Sequence, residues 1–116
     1  MTSKELADLV VDALQELKGQ SVVSIDVSNL TQITDYMVIA TGTSSTHIKA
    51  LADAVVRQAK ESGAEVAGTE GRMQAEWVLV DLRGVVVHIM LAPVRALYNL
   101  EDLWNFAPEN ESKVKR

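Results

Sequence analysis

The chain has 116 residues, 47% of them hydrophobic, and no cysteine, so it can build one core but no disulfide, thiolate metal site or cysteine nucleophile. Sixteen acidic residues against eleven basic ones give a formal net charge of −5, which repels a phosphate backbone unless a basic patch overrides it. Basic side chains are scattered singly until Lys113, Lys115 and Arg116, so little direct nucleic-acid contact is expected, and the charge suits a basic protein partner instead.

The first predicted element is a helix. Thr2 and Glu5 have capping-box spacing, and Leu6, Leu9, Val10, Ala13, Leu14 and Leu17 keep one helical face apolar. Gly19 is expected to end it by taking the left-handed conformation. Val22 to Val27 reads as a strand, with Val23, Ile25 and Val27 alternating against Ser24 and Asp26. Tyr36 to Ala40 is continuously apolar between Asp35 and Gly42, as in a strand covered on both faces, and is placed centrally in the sheet. The hydroxyl run Thr43 to Thr46 opens a second helix, whose apolar positions Ile48, Leu51, Ala52, Val55, Val56 and Ala59 run up to Gly63. Gly68-Thr69-Glu70-Gly71 reads as a loop, with a short strand around Val66 as an option.

Glu76 to Leu82 and Val85 to Leu91 form a predicted hairpin around Arg83-Gly84, with the glycine supplying the unusual backbone angle. Side-chain parity divides this hairpin into two faces. Val78, Val80, Leu82, Val85, Val87 and Ile89 share a uniformly apolar face that belongs to the core. Trp77, Leu79, Asp81, Val86, His88 and Met90 share the other, which is expected to be half wet. Pro93 suits the first turn of a last helix carrying Val94, Leu97, Leu100, Leu103 and Trp104, and Pro108 ends it. A single domain over residues 1–107 and a disordered polar tail over 108–116 follow. No apolar run approaches the roughly 20 residues of a membrane span, and the N-terminus does not read as a signal peptide, so a cytoplasmic location is expected.

The candidate chemistry is thin. Thr41 to Thr46 follows a strand and opens a helix, so its N–H groups and hydroxyls are a candidate phosphate or nucleotide site, and an enzyme built on that turn is the alternative function. It has neither the lysine of a P-loop nor the spacing of a dinucleotide fingerprint, which favours an ordinary helix cap. Asp26, Asp35 and Asp81 lack metal-ligand spacing, and His47 and His88 have no triad partners at a recognised spacing; His47 reads as a surface residue. No metal and no cofactor are expected. Trp77 and Tyr98 suit an interface as well as a core, because large amphipathic rings are enriched at binding hot spots. Trp104 leans toward the core.

Ile33 to His47 resembles the central signature of the Iojap, or ribosomal silencing factor, family. Glu70-Gly71, then Glu76 to Asp81, then Val86-Val87-His88, then Arg95, Tyr98, Leu100, Glu101, Leu103 and Trp104 occur in the family's order, so the resemblance covers roughly residues 4 to 105. It implies an α/β (α+β) domain with a mixed sheet flanked by helices, related in fold to nucleotidyltransferases but without their catalytic carboxylates, since Asp26 is followed at the alternate position by Ser28. It also implies a non-enzymatic protein that binds a basic protein on the intersubunit face of the large ribosomal subunit. There it blocks joining of the small subunit and represses translation when nutrients are scarce. On this reading Glu70, Trp77, Leu79, Asp81, His88, Met90 and Tyr98 form the partner-binding surface, with Asp81 pairing with a cationic side chain. A homodimer through the same face remains open.

Overall fold

The computed structural model describes residues 1–71 and 76–100. Their elements in chain order are α1 (Ser3–Glu16), β1 (Gln20–Asp26), β2 (Tyr36–Gly42), α2 (Ser45–Glu61), β3 (Gly68–Glu70), β4 (Trp77–Asp81), β5 (Val85–Leu91) and α3 (Ala92–Tyr98). The strands make one five-stranded sheet in the order β1-β2-β5-β4-β3. β2 and β5 run parallel, while β1 against β2, β4 against β5 and β3 against β4 are antiparallel. This is the α+β architecture with a mixed sheet that the sequence led us to expect.

Local chemistry explains most element ends. Thr2 caps α1 with both halves of the capping box: its hydroxyl accepts from the Glu5 N–H at 3.1 Å, and its own N–H reaches the Glu5 carboxylate at 2.8 Å. At the other end Gly19 does not take the left-handed conformation. Lys18 does, at φ 64°. The Gly19 N–H closes onto the Leu14 carbonyl at 2.7 Å and the Lys18 N–H onto Gln15 at 3.0 Å, the two bonds of a Schellman motif. A Cβ at position 19 would lie 2.9 Å from the Leu14 oxygen, so the glycine answers a close approach one residue beyond the expected role.

The hairpin repeats that shift. Leu82 donates to the Val85 carbonyl at 2.8 Å across a two-residue turn, and the positive φ of 71° falls on Arg83 rather than Gly84. The Asp81 carboxylate accepts the Arg83 N–H at 2.8 Å and steadies that turn. Two further expectations are corrected. Gly68–Glu70 is a strand, paired with β4, not a loop, and it lies beyond Val66. α3 stops at Tyr98 because Asn99 turns left-handed at φ 46°, and Leu97 on it is 76% exposed instead of packed. β2 is an interior strand as expected, with β5 taking the middle of the sheet. Glu101, Leu103, Trp104, Pro108 and the predicted tail lie outside the described residues.

The two faces of the sheet are covered differently. α1 and α2 close one face over Val38, Ala40, Val78, Val80, Leu82, Val85, Val87 and Ile89, all buried. The other face holds a smaller cluster of Val27, Met37, Ile39 and Met90, against which Val94 of α3, Leu30 and Trp77 pack. No helix among the described residues is long and apolar enough to cross a membrane.

Candidate functional site: the open face of the hairpin

Register decides which side chains share the second face. Glu70 pairs with Leu79, Leu79 with His88, His88 with Ile39, and Ile39 with Val23. These residues therefore form one row across all five strands. A neighbouring row runs through Trp77, Met90 and Thr41, and another through Gly68, Asp81, Val86, Met37 and Ile25. Glu70, which the sequence attached to the surface only by resemblance, thus stands beside Leu79 on the same face.

Burial grades along these rows. In the middle of the sheet the face is closed, with Ile39 of β2 and Met90 of β5 fully buried, while Val23 and Ile25 on β1 are half-buried. On the β3 and β4 side it opens, with Trp77, Leu79 and Asp81 half-buried and Glu70 exposed. Met90 lies beneath the open part as its floor, and His88, 8% exposed, is nearly as deep. The face is thus partly wet, as expected: Ile39 and Met90 are buried where Val94 of α3 and Leu30 pack over them, while the β3 and β4 part meets solvent.

Trp77 joins the two halves. Its indole N–H donates to Nδ1 of His88 at 3.0 Å, with ring centroids 5.8 Å apart. Its other neighbour is Tyr98, at 4.8 Å between centroids and tilted 50°, a separation at which tilted aromatic rings attract through their quadrupoles. Tyr98 remains 56% exposed. Since an indole nitrogen is donor only, Nδ1 of His88 is unprotonated in this arrangement. Burial pushes the His88 imidazole down to about 4 from a usual 6.5, so the acceptor is retained at neutral pH.

α3 is held in place by a residue that the composition and motif arguments did not single out. Arg95 donates through Nη1 to the Ser21 carbonyl at 2.7 Å and to the Thr41 hydroxyl at 2.9 Å. The guanidinium thereby ties α3 to β1 and β2 and sets Tyr98 beside Trp77. Only the family resemblance pointed to Arg95, because its contacts lie 74 and 54 residues away in sequence.

The alternative site is engaged internally. The Thr41 hydroxyl receives Arg95, the Ser44 hydroxyl caps the His47 N–H at 3.1 Å, and the Thr43 N–H donates to Nδ1 of His47 at 2.9 Å. Nε2 of His47 lies 2.7 Å from the Leu17 carbonyl at the end of α1. His47 is thus a bridge between α1 and the start of α2, not the plain surface residue expected. The Thr41, Thr43 and Ser44 hydroxyls that would line an anion site are thus engaged within the fold. Asp26 accepts the N–H and hydroxyl of Ser28 at 3.0 and 2.7 Å, and Asp35 accepts the Ser3 hydroxyl at 2.7 Å. Among the described residues no group of three or more His, Cys, Asp or Glu is placed to hold a metal.

Comparison with known proteins gives a consistent result. A family described as ribosomal silencing factor during starvation matches residues 1–116. A ribosomal silencing factor from Chromobacterium violaceum is 43% identical over 104 residues, covering 90% of this chain and 85% of that protein. A crystal structure of a protein from the same organism superposes with a TM-score of 0.89 at 43% identity, over 90% of this chain and 88% of that one. A more distant relative, the mouse mitochondrial assembly of ribosomal large subunit protein 1, is 32% identical over 100 residues, which are 84% of this chain and 44% of that protein.

Proposed function

The chain belongs to the ribosomal silencing factor family, and on that premise we propose that it is a cytoplasmic, non-catalytic repressor of translation that docks on the large ribosomal subunit. The outer half of the hairpin face is the docking surface. Trp77, Leu79 and Tyr98 contribute apolar area, Asp81 and Glu70 contribute negative charge, and the bound protein stands where the small subunit would join. The single observation that carries this reading is the half-covered sheet face. Among the described residues, a five-stranded sheet that closes one side with two helices leaves an aromatic pair and two carboxylates only partly covered on the other.

The charge of the partner follows from the same face. Both ionisable carboxylates on it are acidic and the chain carries −5 overall, so a basic ribosomal protein is attracted and the ribosomal RNA backbone is not. The mouse relative's name refers to assembly of a large ribosomal subunit, which fits that choice of subunit. The enzyme reading has less support, because the Thr41 to Ser44 hydroxyls are already engaged within the fold.

Co-sedimentation of the protein with separated large and small subunits tests the proposal. Wild-type protein should travel with the large subunit alone, and Asp81→Lys should not. Association with neither subunit would overturn the reading.

A further inference from the structure

His88 is an unusual occupant of its position. It sits between Leu79 and Ile39 in the cross-strand row and is 8% exposed, so an aliphatic residue would fill the site without burying a polar ring. A buried polar group is retained at low cost only where it finds a partner, and the partner here is the Trp77 indole N–H at 3.0 Å. Tyr98 confines the same indole at 4.8 Å. The ring is held by a hydrogen bond from one neighbour and by an aromatic contact with the other.

We infer that His88 is a positioning residue for docking: its Nδ1 fixes the Trp77 indole in the orientation that the large subunit receives, without itself touching the partner. This rests on the docking reading and deepens it. An indole whose rotamer is set before encounter has less freedom to lose on binding. The depth of His88 and Met90 beneath the face explains why their role is to shape it rather than to form contacts. The lowered basicity of His88 keeps the acceptor lone pair available at neutral pH.

A double-mutant cycle on the full chain separates this role from its rivals. Trp77→Phe keeps a ring but removes the donor; His88→Phe keeps the bulk but removes the acceptor. Large-subunit binding should fall about 5-fold or more in His88→Phe, recover to within about 2-fold in His88→Asn, whose amide oxygen can replace Nδ1, and be unaffected by His88→Phe when Trp77 is already Phe. The indole N–H resonance of Trp77, assigned by its disappearance in Trp77→Phe, should shift and exchange faster with water in His88→Phe. If His88→Phe does not fold, His88→Leu takes its place. An equal loss of affinity in both Trp77 backgrounds, or an unmoved indole resonance, would overturn the inference while leaving the docking reading intact. Failure of the wild-type protein to bind the large subunit would overturn the docking reading and this inference with it.

Discussion

The two faces of the sheet are built from the same strands and differ in what covers them. β4, β5 and Leu82 at the turn between them send Val78, Val80, Leu82, Val85, Val87 and Ile89 to one side, where they are buried beneath α1 and α2. The same strands send Trp77, Leu79, Asp81, His88 and Met90 to the other, where, among the described residues, Val94 of the seven-residue α3 and Leu30 pack over the cluster around Ile39 and Met90. The closed face is uniformly aliphatic, and its requirement is for apolar volume that packs. The half-open face mixes aromatic, acidic and imidazole groups whose identities matter to one another. The closed face is all core, whereas the second face combines a smaller core cluster of Val27, Met37, Ile39 and Met90 with the outer part proposed above for docking.

That division can be broken most forcefully on the closed side. Leu51 of α2 is fully buried in the main cluster, and Leu51→Ala should cost roughly 2–5 kcal/mol through lost burial and a residual cavity. Thermal unfolding should show a fall in Tm of at least about 10 °C. A fall of only a degree or two would mean that the closed face is not the folding core.

The next largest effect belongs to His88, whose burial places it at about 4. In the unfolded chain an imidazole titrates near 6.5, so between those two values the unfolded state binds a proton that the folded state refuses. The stability associated with neutral His88 is present above pH 6.5, declines as the pH falls toward 4, and amounts to roughly 3 kcal/mol in total. Urea unfolding of wild type and His88→Asn across pH 4–7 should therefore show a steeper loss of stability on acidification in the wild type. Parallel curves would contradict the buried, neutral imidazole.

The smallest effect is expected at a leucine of the other helix layer. Leu97 on α3 is 76% exposed, so Leu97→Gln should change stability by no more than about 0.5 kcal/mol. A loss approaching that of Leu51→Ala would show α3 to be packed as tightly as α2.

The sequence was legible where one local rule acted alone. Alternation across Val78 to Ile89 separated the two faces correctly, and the Thr2 and Glu5 pair marked the start of α1. It was misleading where tertiary contacts chose among local options. Gly19 and Gly84 looked like the residues with unusual backbone angles, yet Lys18 and Arg83 adopt them. Gly68-Thr69-Glu70 resembled a loop because two glycines flank polar residues, but the free edge of β4 drew it into the sheet. His47 and Arg95 were opaque for the same reason: the carbonyls and hydroxyl they bind come from Leu17, Ser21 and Thr41, and no local spacing encodes such partners. The face itself was found by parity, whereas its depth, with His88 and Met90 beneath and Leu79 and Asp81 nearer the surface, required the covering elements.

Leu79→Lys distinguishes an outer half of the second face that docks a partner from one that belongs to the folding core. Leu79 is half-buried beside Glu70 and His88, where a lysine stem can lie along the face with its charge in water. Affinity for purified large ribosomal subunits should be measured alongside Tm. Binding should fall at least about tenfold, from lost apolar area and a cation facing a basic partner, with Tm lowered by only a few degrees. A folded variant that binds the large subunit as tightly as wild type would contradict docking through this face.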